Sequence, residues 1–114
     1  MQLNERIVGD IAIITVTGDI TLNKGGDVVL RDKVRSLLEQ GRTKLLLDLG
    51  AVSYVDSAGL GELVQAYATA KNKGGSLKLL RPAKRLKDLL TITKLVTVFD
   101  TYDTEAAGIA SFSA

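Results

Sequence analysis

Leu45-Leu46-Leu47-Asp48-Leu49 is short, almost wholly apolar and bounded by polar and glycine residues, the pattern of a strand buried on both faces. Such strands belong to sheets covered by helices. After a turn segment ending at Asp56-Ser57, the positions Leu60, Leu63, Val64 and Tyr67 mark one helical face, and Asn72-Lys73-Gly74-Gly75 ends it. A buried strand therefore leads directly into a helix, the step of a βα alternation.

Upstream, Leu3 to Val8 and Ile11 to Val16 are rich in Ile and Val and are separated only by Gly9-Asp10. That spacing suits a two-residue type II′ hairpin, with glycine at the position of positive φ. Gly18 to Gly26 is turn-rich and reads as a loop. From Asp27 onward Leu30, Val34, Leu37 and Leu38 recur at helical intervals. Arg31, Asp32, Arg35, Glu39 and Arg42 take the other face, and Gly41 supplies the stop. Downstream, Leu77 to Leu80 reads as a strand closed by Arg81-Pro82. Pro82 then suits the first turn of a helix bearing Leu86, Leu89 and Leu90. Val96 to Phe99 is the last strand candidate, and Asp103 or Thr104 would cap a final helix carrying Ala106, Ile109 and Ala110. The order ββαβαβαβα predicts one α/β domain over residues 1–114, a mixed sheet with an N-terminal antiparallel hairpin and packed α-helices.

The length of 114 residues, 46% of them apolar, suits one domain with a core of its own. With no Cys and no His, disulfides, thiol nucleophiles, Cys/His zinc sites and imidazole acid–base chemistry are excluded. The N-terminal Met1-Gln2-Leu3-Asn4-Glu5-Arg6 is too polar for a signal peptide, and no apolar run approaches the roughly 18 residues that span a bilayer. A cytoplasmic protein without membrane insertion is expected. Net charge is only +2, yet Lys71, Lys73, Lys78, Arg81, Lys84, Arg85, Lys87 and Lys94 stand against the single acid Asp88 between positions 71 and 94. This is a solvated helix face or a surface for an acidic partner. Stacking aromatics are nearly absent, so direct nucleic-acid binding is not expected. Asp48, Asp56, Glu62 and Asp100 follow no calcium-loop spacing, and neither a metal nor a cofactor is expected. Tyr54 and Tyr67 read as core or near-core residues with only the hydroxyl at the surface.

The chemistry concentrates in Val52-Ser53-Tyr54-Val55-Asp56-Ser57-Ala58-Gly59-Leu60-Gly61-Glu62-Leu63. It sets a hydroxyl at a strand-to-helix junction among small residues. A phosphate on Ser57 would sit at a helix N-terminus, where unpaired N–H groups favour negative charge, and Ala58, Gly59 and Gly61 would let another protein approach the backbone. The competing reading is structural: a serine before a helix is ordinarily an N-cap, a task that Asp56 would share. Local sequence leaves both open.

Asp56-Ser57-Ala58-Gly59-Leu60-Gly61, preceded by the buried strand and Val52-Ser53-Tyr54-Val55, resembles the signature of STAS domains, specifically the bacterial anti-sigma factor antagonists. The similarity extends to Gly18-Asp19-Ile20, Lys73-Gly74-Gly75-Ser76-Leu77 and Leu86 to Val98, nearly the whole chain. The resemblance implies a STAS-like single domain that is a regulatory substrate and not an enzyme. Ser57 would be the phosphoacceptor of an anti-sigma factor serine kinase, binding it when unmodified and released on phosphorylation, and a metal-dependent Ser/Thr phosphatase would reset it. Asp19, Thr21, Asp56, Ala58, Gly59, Leu60 and Gly61 would face the partner. Two positions depart from the family pattern. Thr21 replaces the second carboxylate of the usual Gly-Glu-x-Asp loop, which bears on the choice of kinase. Ala58 replaces a Ser or Thr, leaving Ser57 as the single acceptor. The alternative from the same resemblance is an adaptor subunit of a lipid-transport ATPase or a stress-signalling complex.

Overall fold

The hairpin forms as its spacing predicts. In the computed structural model, which describes residues 1–23 and 25–113 and only the backbone of Gly26 and Asp27, β1 (Gln2–Val8) and β2 (Ile11–Thr17) pair antiparallel from Gln2↔Thr17 to Val8↔Ile11. Gly9 takes the left-handed position between them, at φ 61°. Of the domain expected over 1–114, Lys24 and Ala114 lie outside the described residues.

The remaining strands add in parallel: β3 (Lys44–Ala51) beside β2, β4 (Ser76–Leu80) beside β3, and β5 (Thr101–Tyr102) beside β4. Strand order follows chain order, β1-β2-β3-β4-β5. Because right-handed crossovers that always step in one direction leave their helices on one face, α1 (Gly26–Glu39), α2 (Ser57–Asn72) and α3 (Lys84–Ile92) share a layer. Among the described residues only α4 (Glu105–Ser111), which follows the last strand, reaches the opposite face. The period of two along β2 and β3 divides their side chains accordingly. Ala12, Ile14, Leu45 and Leu47 meet the three-helix layer, while Ile13 and Leu46 turn to Ile109 and Phe112. Burial on both faces is what the apolar run Leu45–Leu49 predicted.

Two expectations are corrected. Val96–Phe99 is not a strand: Leu95–Thr97 forms a 3₁₀ turn entered through Lys94 at φ 63°. The turn drops Phe99 into the core, edge-on to Tyr67 with ring centroids 5.4 Å apart, and the fifth strand follows at Thr101–Tyr102. Pro82 does not open α3. It precedes Ala83, which occupies the N-cap position. Asp48 is buried and paired: its carboxylate accepts from Arg81 Nη2 at 2.6 Å and from the Gly50 amide at 3.1 Å. That hydrogen bond, with the Asp48 charge behind it, holds the Arg81 guanidinium above its ordinary pKa. Thr104 caps α4 as expected, accepting from the Ala107 amide at 3.2 Å.

Candidate functional site

Beyond β3 the chain crosses the top of the sheet and is held there by the segment that leaves β2. The Gly18 amide donates to the Ala51 carbonyl (3.3 Å) and the Ile20 amide to the Tyr54 carbonyl (3.0 Å). The Asp56 amide returns a bond to the Ile20 carbonyl (3.3 Å), so that Ile20 and Val55 form a one-residue parallel bridge. Ser53 Oγ donates to Asp19 Oδ1 at 2.8 Å. Two segments distant in sequence thus behave as one, with Ile20, Val52 and Val55 buried beneath them.

The capping question left open by the sequence is answered by Asp56. Its backbone is extended, at φ −86° and ψ −177°, and Oδ1 accepts from the Gly59 amide at 2.8 Å. Oδ2 accepts from the Leu22 amide at 3.0 Å. One carboxylate both caps the helix and anchors the neighbouring loop. Ser57 is the first residue of α2, exposed, and among the described residues its hydroxyl takes no hydrogen-bond partner. It is an accessible hydroxyl at a helix start, and the carboxylate next to it, Asp56, has both oxygens engaged by the Gly59 and Leu22 amides. Asp56→Ala should therefore cost about 1–2 kcal/mol, the range for a lost cap with a second amide released. Urea unfolding would measure the loss, and hydrogen exchange should show faster Leu22 and Gly59 amides.

The other expected contact residues separate into two groups. Asp19, Ala58 and Leu60 are half-buried and Gly61 is exposed. Gly59 and Thr21, expected to face the partner, are both buried in the free chain. A Cβ on Gly59 would lie 2.1 Å from the Ile20 carbonyl oxygen and 2.9 Å from Val55 Cγ1. The glycine lets the loop after β2 approach the helix. Thr21 points inward with Oγ1 buried and, among the described residues, without a hydrogen-bond partner.

Sequence reasoning missed several surface residues. Leu22 is 65% exposed next to the site. Tyr54, expected near the core, stands 44% exposed, with the Arg85 guanidinium carbon 5.9 Å from its ring centroid. Tyr67 does pack on the core. Between the start of α2 and α3 lies an open groove of about 790 Å³ whose lining includes Tyr54, Ser57, Leu60, Arg85, Leu89 and Ile92. The signal was present in α3: Leu86 and Leu90 enter the core, while Leu89 and Ile92 repeat at i, i+3 on a second stripe. Lys84 and Asp88 also line the groove.

The carboxylates considered for a metal are dispersed: Asp48 pairs with Arg81, Asp56 caps α2 and Glu62 is buried along that helix. Among the described residues no group of three His, Cys, Asp or Glu could hold an ion, and no helix is long and apolar enough to cross a membrane.

Comparison with known proteins finds that the family model of the STAS domain matches residues 2–108. The anti-sigma-B factor antagonist of Bacillus subtilis is 42% identical over 88 residues, covering 72% of this chain and 80% of that protein. The protein of the same name from Listeria monocytogenes is 32% identical over 109 residues, covering 92% and 90%. Among solved structures, an anti-sigma factor antagonist from Mycobacterium paratuberculosis superposes with a TM-score of 0.86 at 18% identity, over 99% of this chain and 94% of that one. The unphosphorylated form of the antagonist SpoIIAA superposes at 0.76, also at 18% identity and over 99% of each chain. These structural likenesses bear on the fold alone.

Proposed function

The chain belongs to the STAS domain family, and from that premise we propose that it is an anti-sigma factor antagonist whose binding is switched by phosphorylation of Ser57. The observation that carries the reading is the division of labour at the start of α2. Asp56 does the capping, so the exposed Ser57 hydroxyl is available to another protein's active site without cost to the helix. The partner is an anti-sigma factor that is also a serine kinase. It supplies the nucleotide and the base, and a metal-dependent Ser/Thr phosphatase restores the hydroxyl. The relatives named as anti-sigma-B factor antagonists support the role. Exposed Leu22 and Tyr54 beside Ser57 supply the apolar surface that a docked complex would bury.

Phosphopeptide mapping of the chain isolated from its host, together with affinity capture using wild-type and Ser57→Asp forms, tests this. The expected result is phosphate on Ser57 and a kinase-type ATPase retained by the wild-type form only. Phosphate at another residue would overturn the switch. A transporter ATPase retained equally by both forms would establish the adaptor role instead.

A further inference from the structure

We infer that Lys84 and Arg85 form the receiving site for a phosphate carried on Ser57, which would close onto them across the groove between α2 and α3. This rests on Ser57 being the residue phosphorylated, and it extends that reading: modification would reshape the docking face as well as charge it.

Three observations support the site. Ser57, Lys84 and Arg85 line one groove. Both cations are exposed and, among the described residues, neither is engaged by a carboxylate, although Asp88 lines the same groove. Elsewhere Arg6, Lys33, Lys44, Arg81 and Lys87 are each held in an ion pair. Third, Arg85 is already oriented: its guanidinium lies 5.9 Å from the Tyr54 ring centroid, on the residue three positions before Ser57. Contact with an aromatic face restrains the guanidinium plane and leaves N–H edges free to donate in pairs to phosphate oxygens.

The charges facing a phosphate at this place are few. From α3 come Lys84, Arg85 and the opposing Asp88. From the helix start comes Asp56, whose oxygens already accept from Gly59 and Leu22, and from the loop after β2 comes Asp19, tied to Ser53. Phosphoserine brings about −1.5 to −2 charges and strong acceptor oxygens, which Lys84 and Arg85 together balance. A bridge from Ser57 to Arg85 crosses the groove beside Leu60 and Leu89, so a partner segment seated on that apolar floor would be displaced sterically.

The experiment needs no kinase. Phosphoserine is installed at position 57 by genetic-code expansion, and the second phosphate ionisation is titrated by phosphorus NMR in about 0.5 M salt, where attraction between separated charges is largely screened. Lys84→Gln/Arg85→Gln should raise that pKa by about half a unit relative to the intact phosphoprotein. Lys71→Gln/Lys73→Gln, at the far end of α2, should leave it unchanged. Tyr54 and Leu89 resonances should move further on phosphorylation in the intact chain than in the groove variant. Equal titration and equal resonances in the intact and groove-variant phosphoproteins would overturn the site. Phosphate mapping elsewhere in the host would instead sink the Ser57 switch and leave this titration as it is, so the two failures are distinguishable.

Discussion

Gly59→Val should destabilise the protein by about 3 kcal/mol or more. The new Cβ would lie 2.1 Å from the Ile20 carbonyl oxygen, far inside contact distance. Ile20 cannot retreat alone, because its amide and carbonyl are both bonded to the segment entering α2. Relief requires separating loop from helix, with loss of those bonds and of the buried packing of Ile20 against Val55. Overpacking alone commonly costs 1–3 kcal/mol, and each broken buried hydrogen bond adds about one more. Against a typical total stability of about 5–15 kcal/mol this is a large fraction. Gly61→Val is the contrast: its Cβ meets nothing within 4 Å, and valine is no worse than glycine in a helix. Urea midpoints of the two variants measure the difference. A wild-type midpoint for Gly59→Val would show that the close approach is not a constraint, and any loss of partner binding would then belong to the surface.

Phosphorylation of Ser57 should weaken binding to the anti-sigma partner about a thousandfold with little change in stability. The change falls on the docking face and leaves the core as it is. A surface fitted to a neutral hydroxyl must desolvate a dianion and find it a counter-charge, and such a mismatch costs several kcal/mol, of which about 4 corresponds to three decades in affinity. Within the free protein the helix start tolerates negative charge, and because Asp56 is the cap, Ser57→Ala removes no hydrogen bond that holds the fold. Ser57→Ala should bind constitutively and Ser57→Asp weakly, both unfolding within about 0.5 kcal/mol of wild type, as exposed substitutions usually do. Calorimetric titration of the three forms against the partner checks the affinities. Equal affinity across them would end the switch reading, and a loss of about 1 kcal/mol in Ser57→Ala would restore Ser57 to a capping role.

Much of this was written in the chain itself. The apolar run Leu45–Leu49, the alternation in Ile11–Val16 and the stripe through Leu30, Val34 and Leu37 are short-range patterns, and short-range backbone and side-chain periodicity is what they report. The junction at Asp56-Ser57 was legible for the same reason. Val96–Phe99 was misread because apolar and β-branched residues describe a strand equally well as a turn whose last residue must reach the core. Nothing local states that Phe99 meets Tyr67.

The order of strands and helices as far as α3, and the place of Ser57 at a strand-to-helix junction, were therefore determined by sequence alone, since each depends on neighbours a few residues away. Tertiary structure decided the rest. Asp56 caps α2 and also anchors Leu22; Gly59 is needed by Ile20; Thr21 is turned inward; Ser57 shares a groove with Lys84 and Arg85. Each of these joins segments far apart in the chain, and no periodicity encodes which carbonyl will stand over which glycine until the sheet has brought them together.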